Sequence, residues 1–123
     1  MKIVVKTERI EDIKTDAIAI GLFEKEGVEK YKGLDKAASS MISNLIKKGE
    51  FNGKTDEMLF LISPADLKAK RILLLGLGEK EKFTIDKLRQ TSAKTGQEMR
   101  NKSIKNFAMN IPSPTPLPQG EGA

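Results

Sequence analysis

A chain of 123 residues has room for one domain and not two. It contains no Cys, no His and no Trp, which excludes a disulfide framework, a thiolate metal centre, a cysteine nucleophile, a Ser-His-Asp triad and any His-bearing metal site. Hydrolytic chemistry would have to run on carboxylates, Lys and backbone amides, so composition alone points away from catalysis.

The formal net charge of +5 is unevenly placed. Residues 1–79 carry 14 basic and 13 acidic side chains, whereas residues 80–105 carry eight basic ones (Lys80, Lys82, Lys87, Arg89, Lys94, Arg100, Lys102 and Lys105) against three acidic. Such a segment can attract phosphate, but a solvated helix face is the plainer account. The longest apolar run, Ile72 to Leu77, is far shorter than the roughly 20 residues a bilayer needs. The start, Met1-Lys-Ile-Val-Val-Lys6, lacks the apolar core of a signal peptide. A cytoplasmic location with no membrane contact is the expectation.

In chain order, Ile3-Val4-Val5 is a short β-branched strand. Ala17-Ile18-Ala19-Ile20-Gly21-Leu22-Phe23 is apolar on both faces, as a buried parallel strand is. Residues 24–33 are charged and hold Gly27 and Gly33, which predicts a loop. Leu34, Ala37, Ala38, Met41, Ile42, Leu45 and Ile46 then follow helical spacing without a miss, predicting one helix over 34–48 ended at Gly49. After the turn at Asn52-Gly53-Lys54, Met58 to Ile62 reads as a strand, and Arg71-Ile72-Leu73-Leu74-Leu75-Gly76-Leu77-Gly78 as a second doubly apolar one. Thr84 can cap a helix running to about Asn101, with Ile85, Leu88, Ser92, Thr95 and Met99 inward. Ile104 to Ile111 reads as the last strand. Strands alternating with helices, two of them apolar on both faces, predict an α/β domain of three layers, α/β/α.

Residues 112–123 differ abruptly, with four of the five prolines and no basic residue. Pro at every second position predicts a disordered or polyproline II tail. It reads either as a ligand for an SH3- or WW-type groove or as translated sequence appended after an early end of the gene.

Three motifs call for chemical readings. Gly76-Leu77-Gly78 lies between a strand and a helix, where a dinucleotide loop would be, but Glu81 replaces the third glycine and Glu79 would repel a pyrophosphate. The structural alternative is a tight exit from a central strand, needing positive φ or close backbone packing. Gly53-Lys54-Thr55 resembles the end of a P-loop, but it follows a helix and precedes a strand, and Lys48 stands where the first glycine belongs. The carboxylates Glu24, Glu26, Glu29 and Asp35 match no known cation cage and read as solvated charges.

The order of pieces resembles the N-terminal domain of the leucyl aminopeptidase (cytosol aminopeptidase) family. The resemblance rests on Asp16 to Phe23, on Leu34-Asp35-Lys36-Ala37 with Lys48 to Lys54, and above all on Lys70 to Lys80, a Lys-Arg pair, an aliphatic strand and then Gly-Leu-Gly-Glu-Lys. It covers about residues 1–111. It implies a macro-domain-like mixed sheet with flanking helices, in a non-catalytic accessory domain that packs on a catalytic domain and contributes to hexamer assembly.

In that family two divalent metal ions, zinc or manganese, sit in the separate catalytic domain, whose signature Asn-Thr-Asp-Ala-Glu-Gly-Arg-Leu is not found in these 123 residues. No catalytic, cofactor or metal-binding residue carries over, so no cofactor is expected on this chain. The expectation is therefore an N-terminal domain over residues 1–111, incomplete at its C-terminal end, followed by the 112–123 tail. The alternative is a stand-alone macro-like module that binds nucleotide, or nucleic acid weakly and non-specifically, through residues 76–105. Gly76, Gly78, Lys87, Arg89 and Lys94 are the candidate contacts.

Overall fold

A strand buried on both faces must lie inside a sheet covered on both sides, and the two doubly apolar segments do so. A computed structural model describes residues 2–4, 10–28, 31–38, 40–64 and 67–111. Its elements are β1 (Lys2–Val4), β2 (Ala17–Leu22), α1 (Lys32–Ala37), α2 (Met41–Lys47), β3 (Met58–Ile62), β4 (Arg71–Gly76), α3 (Ile85–Asn101) and β5 (Asn106–Asn110). They form one mixed sheet in the order β1-β5-β2-β4-β3, in which β1, β5, β2 and β4 run parallel and β3 lies antiparallel at one border.

The two-residue period of the strands separates the core into two halves. Ile18, Ile20 and Leu22 of β2, with Ile72 and Leu74 of β4, face one way and pack with Leu34, Ala38 and Ile42 from the α1–α2 region. Ala17, Ala19, Leu73, Leu75 and Phe107 face the other way and meet Met99 of α3. This is the expected three-layer α/β/α arrangement, with the register Ala17↔Arg71 to Leu22↔Gly76 locking the two central strands. Each fully buried aliphatic side chain here contributes about 1.5–3 kcal/mol relative to exposure, so the β2–β4 pair anchors the domain.

Three expectations need correction. The single helix over 34–48 is two short helices, α1 and α2, separated at Ala38 to Ser40, with Ser40 in the left-handed region at φ 60°. The apolar stripe survives the break because Leu34, Ala38 and Ile42 still reach one core. Asp35 is not a solvated carboxylate: it is buried, and its Oδ1 accepts the Ser43 N–H at 3.0 Å, in the first turn of α2. Ile85 does not point inward but is 52% exposed. At that end of α3 the inward position is taken by Phe83, which packs edge-on against Phe23 at 5.3 Å between centroids.

Two expectations about α3 hold. The Thr84 hydroxyl accepts the Lys87 N–H at 3.2 Å, capping α3, and Thr95 and Met99 are buried beneath it. Among the described residues no helix is long and apolar enough to cross a membrane. The expectation for the 112–123 tail lies outside the described residues.

Candidate functional site

Parallel strands of an open α/β sheet gather their ligand-binding loops at the carboxyl ends, so the ends of β2 and β4 come first. There the chain is tightly stitched. Gly76 N–H donates to the Glu57 carbonyl at 2.7 Å, Leu77 N–H to the Leu22 carbonyl at 3.0 Å, and Gly78 N–H to the Gly53 carbonyl at 2.8 Å. The Gly78 carbonyl in turn accepts the Glu24 N–H at 2.9 Å. A Cβ on Gly76 would fall on the Lys54 carbonyl oxygen, and Gly78 has φ +78°. The tight-exit reading of Gly76-Leu77-Gly78 is therefore what this segment does. All three of its N–H groups are committed to protein carbonyls, and none is left to face a pyrophosphate.

The segment that meets it, residues 52–57, is ordered by Glu57. Its Oε1 accepts the N–H groups of Asn52 at 3.0 Å and Lys54 at 3.1 Å. This acceptor role fixes Gly53-Lys54-Thr55 as a packing loop against β4 rather than a phosphate cradle. Sequence reasoning missed Glu57; its place three residues after a Gly-Lys pair in a turn was the available signal.

The remaining candidates, Lys87, Arg89 and Lys94, are all on α3. Lys87 and Lys94, seven residues apart, share one helix face, whereas Arg89 lies on another. Four cations of the 80–105 segment already lie against carboxylates: Lys80 with Glu26 at 3.4 Å, Lys82 with Glu79 at 3.4 Å, Arg89 with Asp86 at 3.6 Å and Lys94 with Asp56 at 2.6 Å. These exposed pairs each contribute at most about 1 kcal/mol, but they offset the local positive charge. Of the three, Lys94 reaches Asp56 in the 52–57 loop that packs on Gly76 and Gly78, whereas Arg89 pairs with Asp86 along α3 itself.

A cleft of about 260 Å³ opens at the end of β2, and none of Gly76, Gly78, Lys87, Arg89 and Lys94 lines it. Its walls are Leu22, Phe23, Ile46 and Phe51, and its rim carries Lys25, Glu26 and Asn52. It can take an apolar group but offers no paired acid and base. Behind it the buried Tyr31 hydroxyl lies 3.0 Å from both the Gly21 and the Asn110 carbonyl oxygens. Burial pushes this phenol up from its ordinary value, so it is a neutral hydrogen-bond donor throughout the physiological range. Among the described residues no three Asp or Glu side chains gather as a metal site.

Comparisons with known proteins agree with the fold described above. Residues 19–118 match the N-terminal domain of the cytosol aminopeptidase family. A probable cytosol aminopeptidase of Nitrosococcus oceani is 40% identical over 79 residues, 63% of this chain and 16% of the relative. One from Alkaliphilus oremlandii is 35% identical over 111 residues, covering 89% and 22% of the two chains. The chain thus spans about a fifth of the length of the curated relatives it matches.

Among solved structures, a mutant tomato leucine aminopeptidase superimposes with a TM-score of 0.74 at 20% identity, over 99% of this chain and 25% of that one. The macrodomain of Mycobacterium tuberculosis DarG superimposes with a TM-score of 0.61 at 14% identity, over 88% and 74%. At these identities the two likenesses concern the fold alone, and both agree with a macro-domain-like sheet. The match over residues 19–118 decides the assignment: this chain belongs to the cytosol aminopeptidase family, as its N-terminal domain.

Proposed function

We propose that this chain is a non-catalytic accessory domain of a leucyl aminopeptidase-type metallopeptidase, working in the cytoplasm by packing on a catalytic domain and contributing to its assembly as a hexamer. The observation that carries this reading is the match of residues 19–118 to the family's N-terminal domain, in relatives about four times as long as this chain. On this reading the parent family's two divalent metal ions, zinc or manganese, belong to the catalytic domain. The chain has no His or Cys, and its described carboxylates form no group of three. No step of peptide hydrolysis is therefore assigned to any residue of this chain.

The test has two arms. The purified chain, supplied with zinc or manganese, releases no leucine from a leucyl amide above a metal-only blank. Mixed with a family aminopeptidase stripped of its own N-terminal domain, it co-elutes with that protein in size-exclusion chromatography. Turnover by the chain alone that survives repurification and disappears on chelation overturns the non-catalytic reading. Failure to co-elute overturns the accessory one.

A further inference from the structure

Among the described residues the border strand β3 pairs with β4 and with no other strand. Its residues, Met58-Leu59-Phe60-Leu61-Ile62, are all apolar and include neither a charge nor a Pro. The first four are half-buried and Ile62 is 82% exposed. Soluble proteins usually guard such an edge with an inward Lys, a Pro or a bulge. Here Lys102 lies 5.5 Å from the Phe60 ring centroid, which shields one face of the strand and leaves its edge open.

Two hydrogen bonds bracket β3 and fix which of its backbone groups face outward. The Ser63 N–H donates to the Lys70 carbonyl at 3.1 Å, and the Glu57 carbonyl accepts the Gly76 N–H at 2.7 Å. Antiparallel ladders alternate residue by residue, so 57, 59, 61 and 63 turn their polar groups toward β4. Met58, Phe60 and Ile62 therefore turn their N–H and C=O groups toward the open edge.

We infer that this edge docks a second copy of the chain, the two β3 strands pairing antiparallel about a two-fold axis at Phe60. Only a register that sets Phe60 against the partner's Phe60, and Met58 against the partner's Ile62, pairs every outward N–H and C=O of the three residues on each strand. The same register keeps each face apolar. Leu59 meets the partner's Leu61 on the α1–α2 side, and the two Phe60 rings meet on the α3 side. Ile62, the most exposed large apolar residue described, gains a cover in the partner's Met58.

The register continues past β3: Ser63 is opposite Lys70 in the ladder, and the partner's Glu57 falls on the far side of Ser63. A paired edge of five residues is about 17 Å long, and a strip that narrow buries less than the about 1,200 Å² of stable interfaces. The dimer is accordingly a weak, concentration-dependent one. This inference goes beyond the accessory role and does not depend on it.

Sedimentation equilibrium of the full chain from about 10 µM to about 1 mM, the range of weak association, should show its mass rising from monomer toward dimer. Ile62→Pro removes an N–H that faces outward and spares the β4 ladder. It should weaken association at least tenfold, while circular dichroism and melting temperature stay close to those of the parent. Because the chain has no Cys, register can be read by oxidation. Phe60→Cys should cross-link, its paired Cα atoms being about 5.5 Å apart. Ile62→Cys, about 14 Å from its mate, should not. A chain that stays monomeric throughout overturns the inference. So do an Ile62→Pro protein that associates as before, and Ile62→Cys cross-linking as readily as Phe60→Cys.

Discussion

Tyr31 and Asn110 are 79 positions apart in sequence, yet the Tyr31 hydroxyl lies 3.0 Å from the Asn110 carbonyl oxygen. The same hydroxyl is 3.0 Å from the Gly21 carbonyl, so a single phenol ties the carboxyl end of β5 to that of β2. The parallel pair β2–β5 has its described register from Ala17↔Phe107 to Ile20↔Asn110, and this clasp sits where that register ends.

Tyr31→Phe should therefore destabilise the domain by about 1–2 kcal/mol, the cost of leaving buried carbonyls short of a donor. The effect depends on pH with a definite sign. The folded-state pKa is raised above the unfolded value of about 10, so the clasp's contribution is fully present below pH 10. Above it the unfolded chain gives up the phenolic proton and the folded chain keeps it, so stability falls by up to about 1.4 kcal/mol per pH unit. Urea titrations of parent and variant should converge as pH rises beyond 10. Because Tyr31 is the only Tyr and there is no Trp, phenolate absorbance of the native protein checks the same point directly. Ionisation near 10 without unfolding would contradict the clasp.

Asp35 supplies the second test. Its carboxylate reaches eight residues along the chain to the Ser43 N–H at 3.0 Å, doing for α2 what the Ser40 side chain does not do. Asp35→Ala should cost about 1–2 kcal/mol in urea unfolding, as loss of an N-terminal helix cap does. Asp35→Asn keeps an acceptor oxygen and should cost less. Equal losses for the two would mean that the negative charge, and not the hydrogen bond, is what matters.

These residues show where sequence reasoning reached and where it stopped. β2 and β4 were legible because burial on both faces demands runs such as Ala17-Ile18-Ala19-Ile20 and Ile72-Leu73-Leu74-Leu75, and no other class of element carries them so compactly. The break between α1 and α2 was not, because apolar periodicity records which side chains face the core and is blind to a kink that keeps them there. Ser39-Ser40, two weak helix formers in succession, and Asp35, set inside the apolar stripe beside Leu34, were the local signals. Tyr31 gave no signal of its own, since its partners are backbone carbonyls from strands distant in sequence. The glycines at the end of β4 were read correctly as packing residues, while their reason, the loop ordered by Glu57, needed three dimensions.

The basic segment 80–105 makes a prediction about nucleic acid. With Lys80, Lys82, Arg89 and Lys94 already lying against carboxylates, duplex DNA should bind only with a dissociation constant of about 10⁻⁴–10⁻⁶ M, as non-specific contacts do, and the affinity should fall steeply with salt. Fluorescence anisotropy at two salt concentrations, with two unrelated duplexes, measures both. Preference for one duplex at physiological salt would promote the nucleic-acid module over the accessory domain.

Gly76 and Gly96 make opposite predictions from the same substitution. At Gly76 a methyl group would overlap the Lys54 carbonyl oxygen and lie 2.9 Å from both the Gly53 carbonyl carbon and the Glu57 Cβ. Relief would require the 53–57 loop to move off β4, which would break the bonds from Gly76 and Gly78 to Glu57 and Gly53. Gly76→Ala should cost about 3 kcal/mol or more, the upper end for overpacked sites. Gly96 lies inside α3, and nothing stands within 4 Å of the position its Cβ would take. Gly96→Ala should stabilise the domain by about 0.5–1 kcal/mol, because it restricts the unfolded chain and suits a helix. Thermal melting of the two variants beside the parent decides the matter. A Gly76→Ala protein that melts like the parent would show that the loop yields freely, and that the close approach of residues 53–57 to β4 is not what holds this end of the sheet together.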